Sequence, residues 1–147
     1  MILPISLTIA AAAALLHIWL AARVSQLRNR YKISVGDGDN PALLRRMRAH
    51  ANFGESTPLF LILLALIEHA RGSELWLWGA AILFIVARIL HAFGMDRASL
   101  RMLRMIGMMG STLILVGLAG FALYISYTDS ARQRPTIEIP QGARAAR

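Results

Sequence analysis

Four apolar stretches constrain this chain more than any other feature: Ile2 to Ala22, about Phe53 to Ile67, Leu75 to Phe93, and about Met105 to Tyr127. A helix rises about 1.5 Å per residue, so twenty apolar residues reach roughly 30 Å, the thickness of a bilayer core. The second stretch is short for a span. It gains length if its helix begins near Pro41, a first-turn proline placed after the capping residue Asn40. The sequence is 56% hydrophobic, too apolar for an ordinary soluble domain of 147 residues. The expectation is an all-α integral membrane protein, an up-and-down bundle of four transmembrane helices over residues 1–128. Residues 129–147, with Pro135, Pro140 and scattered arginines, read as a flexible basic tail.

The N-terminal stretch has no basic residues before it and is followed at once by Arg23, Arg28, Arg30 and Lys32. That order suits a retained helix rather than a cleaved signal. The run Val35 to Asn40 is turn-forming. It is no calcium loop, because Arg48 occupies the twelfth position from Asp37, where a bidentate glutamate is required. The other connections are short, which implies antiparallel neighbours.

The net charge of +8 is distributed unevenly. Arg23, Arg28, Arg30, Lys32, Arg45, Arg46, Arg48, Arg97, Arg101 and Arg104 fall at one end of the expected bundle; Arg71, Arg132, Arg134, Arg144 and Arg147 fall at the other. Basic loops favour the cytoplasm, so both termini are expected on the non-cytoplasmic side. Topology thereby accounts for the charge, and with no aromatic stacking platform among these residues no nucleic-acid partner is expected. Cysteine is absent, so any thiol chemistry must use a substrate's sulfur. No metal-ligand set, phosphate loop or serine nucleophile elbow stands out, and no metal is expected.

The polar residues near the apolar runs carry the chemistry. Arg48, Asn52 and Glu55 stand at i, i+4 and i+7, on one helix face. Glu55 cannot cheaply face lipid and calls for a cation, with Arg88 or Arg48 as the simple structural partner. Arg88 interrupts the apolar run Phe84 to Leu90 and must turn inward, with His91 three residues later. Arg104 opens the last apolar stretch among Met102, Met105, Met108 and Met109; Arg101 suits a headgroup contact. All of these lie at the basic end. Arginines Arg28, Arg48, Arg88 and Arg104 with Asn52, Glu55 and His91 would suit a small polyanion that carries carboxylates and an amine. In the last helix, Gly107, Gly110, Gly117 and Gly120 form a smooth stripe, for packing within the protomer or between copies.

At this point the sequence resembles the MAPEG family, the membrane-associated proteins in eicosanoid and glutathione metabolism, and in particular its small bacterial branch. The resemblance rests on Gly36-Asp37-Gly38, on Arg48-Ala49-His50-Ala51-Asn52-Phe53 with Glu55 and Pro58, on Ala87 to Gly94, and on Arg104-Met105-Ile106-Gly107. It implies a homotrimer in the bacterial cytoplasmic membrane, with glutathione held between subunits near the cytoplasmic face. The activity implied is glutathione transfer to a lipophilic electrophile, or glutathione-dependent peroxide reduction. Arg28, Arg48, Asn52, Glu55 and His91 match positions that bind glutathione or brace its site, and Arg88 and Met95 complete the expected binding set. Arg104 is similar to the family's thiolate-stabilising arginine, which makes it the expected catalytic residue. Ala51, Met95 and Met105 replace polar residues of some members, which leaves a non-catalytic, lipid-binding scaffold as the alternative.

Overall fold

The computed structural model describes residues 2–96 and 98–132. Four helices follow one another: α1 Pro4–Tyr31, α2 Pro41–Arg71, α3 Leu75–Asp96 and α4 Arg101–Arg132, the last preceded by a short 3-10 turn Ala98–Leu100. Each is long and apolar enough to cross a membrane. α2 begins as expected: Pro41 occupies the first turn, and the Asn40 side chain accepts from the backbone N–H of Ala42 at 3.0 Å and of Leu43 at 3.1 Å. The helix runs on through Pro58, which cannot donate to the Gly54 carbonyl. α4 extends to Arg132, so residues 129–132 are helical; the rest of the expected tail, residues 133–147, lies outside the described residues.

α1 packs on α2 and α4 on α3, while among the described residues no Cα of α1 comes within 8 Å of a Cα of α4. The core centres on the Phe60 and Phe84 rings, stacked with centroids 3.7 Å apart, with Ile5, Leu64, Leu77 and Leu118 around them. A second cluster joins Leu16, Leu20, Phe53 and Ala92. Outward positions such as Leu7, Leu15, Ile62, Leu83, Leu113 and Val116 are exposed and apolar, as lipid contact requires.

The glycine stripe is divided. A Cβ on Gly107 would lie 2.4 Å from the Ala87 carbonyl oxygen and 2.5 Å from the His91 nitrogen, whereas Gly117 and Gly120 have nothing within 4 Å. The first half of the stripe therefore packs within the protomer, and the second half is open. Gly94 permits a similar approach, with a Cβ position 2.6 Å from the Arg104 Cα. These two contacts bring the start of α4 against the end of α3.

Candidate functional site

The close approach at Gly94 and Gly107 seats the imidazole of His91 against the Arg104 backbone, its Nδ1 3.2 Å from the Arg104 carbonyl oxygen. A carbonyl can only accept, so Nδ1 carries the proton and Nε2 presents a lone pair when the ring is neutral. That Nε2 is buried without a partner. An open cavity of about 290 Å³ adjoins it, lined by Asn52, His91, Arg104, Met105, Met108 and Met109.

Arg88 lies behind this cavity. Its side chain is buried among helices, where it donates to Ser111 Oγ and to Asn52 Oδ1, both at 3.3 Å, and its Nε has no partner. Ser111 in turn donates to the Gly107 carbonyl at 2.9 Å. Ion pairs among the described residues join Arg23 and Arg46 to Asp96, and Arg71 to Asp129; none includes Arg88 or Arg104. Glu55 is exposed and does not take up the pairing considered for it with Arg88 or Arg48. The amide of Asn52, one turn earlier, takes the guanidinium instead. The protomer thus holds a buried cation whose hydrogen bonds go to neutral acceptors, with Glu55 acting on it through charge at a distance but not as an ion-pair partner.

The expected residues are only partly gathered. Asn52, His91 and Arg104 share the cavity, and Arg88 touches it through Asn52. Arg28 is held elsewhere, its guanidinium donating to the Ser34 carbonyl at 3.3 Å beside a separate cavity of about 360 Å³ formed by Arg28, Asn29, Lys32, Ile33 and Ser34. Arg48 and Glu55 are exposed, and Met95 is half-buried; none of the three lines the cavity of a single protomer. Arg48, Asn52 and Glu55 do share a face as their spacing predicts, but it is a face turned partly outward.

Sequence reasoning missed two polar clusters. At the basic end, the buried Arg23 side chain pairs with Asp96, stacks over the Trp19 ring at 4.5 Å, and gives up its carbonyl oxygen to Arg46 Nη1 at 2.9 Å; Arg46 Nε also lies 3.5 Å from Asp96. This ties α1, α2 and α3 together. At the opposite end Glu68, only 1% exposed, accepts from Ile5 N at 2.9 Å, Ser6 N at 2.8 Å, Ser6 Oγ at 2.6 Å and Ser73 Oγ at 2.7 Å. It caps α1, which has no cap of its own, and places a carboxyl at the positive end of the helix dipole. Asp96, an acid beside a run of arginines, was a usable signal; Glu68 offered none, since half of its hydrogen bonds come from backbone N–H groups of α1, more than sixty positions away.

The MAPEG family model matches residues 6–124 of this chain. No curated protein matches it.

Proposed function

This chain belongs to the MAPEG family of integral membrane proteins, and from that premise we propose that it is a membrane-bound glutathione transferase. The observation that carries the reading is the unanswered positive charge at one end of the bundle: buried Arg88 has no carboxylate partner among the described residues, and Arg104 opens on the adjoining cavity. Glutathione supplies carboxylates for guanidinium groups, and its thiol supplies a developing anion for Arg104.

The chemistry asked of Arg104 is modest. A free thiol has a pKa of about 8.5, and lowering it by about two units takes roughly 2.7 kcal/mol, within reach of one guanidinium in a dry pocket. The thiolate then attacks an electrophilic carbon, the new C–S bond forming as a leaving group departs with its electron pair. With a hydroperoxide, two glutathione molecules yield the disulfide, an alcohol and water. The thioethers of Met105, Met108 and Met109 provide an apolar wall for the lipophilic partner.

Arg28, Arg48, Glu55 and Met95 stand outside the cavity of one protomer. The reading assigns their part to a homotrimer, in which a neighbouring copy brings such residues to the site. Glu55 would then meet the glutathione ammonium. By the distribution of basic residues, this end faces the cytoplasm and both termini face away, in a bacterial cytoplasmic membrane.

The test is ultraviolet thiolate absorbance on adding glutathione to the purified protein. A thiolate signal in wild type that disappears in Arg104→Ala supports the proposal; its absence from wild type ends it. The methionine wall, and Met95 and Met105 where hydroxyl-bearing residues stand in some relatives, favour a second reading, a lipid-binding scaffold without chemistry. Turnover of an aromatic electrophile or a lipid hydroperoxide would refute that reading.

A further inference from the structure

A guanidinium stabilises a thiolate once it exists, but the thiol proton must first pass to a base. Arg104 cannot take it, since an arginine is already protonated. Asn52 and the three methionines of the cavity wall are not bases, and Glu55 does not line the cavity. Of the residues around the cavity, His91 alone is a side chain that exchanges a proton near neutral pH.

Its setting is that of a poised base. His91 is only 5% exposed, and a buried imidazole that merely packs has both ring nitrogens bonded. Here one is bonded and the other is not. Nδ1, 3.2 Å from the Arg104 carbonyl oxygen, is the donor, so the neutral ring keeps its lone pair on Nε2, which has no partner among the described residues. A lone pair on one nitrogen, with the opposite nitrogen held by an acceptor, is the arrangement in which an imidazole activates a nucleophile. The acceptor is fixed in turn by backbone packing: a Cβ on Gly107 would lie 2.5 Å from the His91 nitrogen, and one on Gly94 2.6 Å from the Arg104 Cα. Arg104 thus orients the base through its carbonyl and offers its side chain to the same cavity. The unbranched methionines opposite yield readily to an incoming sulfur.

We propose that His91 is a catalytic base, whose Nε2 takes the proton of the glutathione thiol, directly or through one water, while Arg104 stabilises the sulfur. The S–H bond breaks, its electron pair stays on sulfur, and an N–H bond forms at Nε2. The imidazolium then holds a proton on each nitrogen, with Nδ1–H still donated to the Arg104 carbonyl. The charged groups facing the ring are Arg88 on α3 and Arg104 on α4, while α2 presents the neutral Asn52. Two guanidiniums repel a third positive charge, so the proton passes on to water and the ring is ready for the next thiol. This assignment rests on the glutathione reading and goes beyond it, since a residue that only contacts glutathione affects affinity and not the rate of ionisation.

The experiment mixes the full-length, detergent-solubilised protein with saturating glutathione in a stopped-flow cell and follows thiolate absorbance, which gives a rate and a final amplitude. His91→Gln is the decisive variant, because its amide still donates to the Arg104 carbonyl and still accepts a hydrogen bond but takes no proton. The expected result is a thiolate rate lowered ~10²-fold, the lower end of what a positioned base contributes, with the final amplitude near that of wild type. Free imidazole should speed thiolate formation in His91→Ala. If His91→Ala fails to fold, His91→Gln decides. A wild-type rate in His91→Gln overturns the proposal and leaves the glutathione reading standing; so does an amplitude lost at saturating glutathione in His91→Gln with the early rate unchanged, which would make His91 a binding residue only. No thiolate in wild type ends the glutathione reading itself.

Discussion

The two ends of the bundle handle buried charge in opposite ways. At the end where α2 finishes, Glu68 is enclosed and each of its oxygens is answered, through four hydrogen bonds from Ile5, Ser6 and Ser73. At the end where α4 begins, Asp96 answers Arg23 and Arg46, while buried Arg88 makes do with an amide and a hydroxyl, and the exposed Arg104 has no carboxylate among the described residues. A buried group whose hydrogen bonds are complete belongs to the scaffold. A buried charge left short is one that a ligand in the cavity beside it could answer, as the proposed function has it.

The comparison can be broken first at Glu68. Glu68→Ala strands two backbone N–H groups of α1 in the interior, at about 1–3 kcal/mol each, so a loss of about 3 kcal/mol or more is expected. Thermal unfolding of the solubilised protein reads this loss. Glutathione affinity of the protein that remains folded should not change; a parallel fall would mean that the two ends are coupled. Arg104→Ala should do the reverse. It should lower kcat by ~10²-fold, about 2.7 kcal/mol, by the loss of one preorganised charge at the developing thiolate. Its midpoint of unfolding should stay near wild type, because the side chain is exposed.

A sharper contrast lies within α4. Gly107→Ala drives a methyl group into the Ala87 carbonyl and the His91 backbone, and should cost about 1–3 kcal/mol while moving His91 off the Arg104 carbonyl. Gly117→Ala meets nothing within 4 Å and should be neutral or stabilising by up to ~1 kcal/mol. Unfolding midpoints of the two variants, measured side by side, test the division of the stripe. A small effect on stability is expected from Arg88→Met as well, within about 1 kcal/mol of wild type without ligand, since no buried carboxylate is orphaned by the change. Glutathione affinity should nonetheless drop about tenfold, some 1.4 kcal/mol, as read by the thiolate titration. A large loss of stability instead would make Arg88 a scaffold residue like Glu68.

Much of this architecture was legible in the sequence because its signals are local. The hydropathy of the spans, the start of α2 at Asn40 and Pro41, and the shared face of Arg48, Asn52 and Glu55 each depend on neighbours within a few residues. The limits of the spans were less legible. α1 continues to Tyr31, nine residues beyond the end of its apolar run at Ala22, because a helix that leaves the bilayer can continue on polar residues. Ser111 has no motif around it, yet its hydroxyl braces Arg88 across the α3–α4 contact.

The amino-acid sequence by itself determined four membrane helices, the uneven distribution of basic residues, and the absence of any protein thiol, since hydropathy and charge act on each segment independently of its partners. Only the tertiary structure decided which charges are satisfied. Glu68 meets Ser6 across 62 positions, and Arg23 meets Asp96 across 73. His17 and His50 meet across 33. Such pairings depend on how helices rotate and how closely glycines let them approach, and these are properties of packing that no single helix carries.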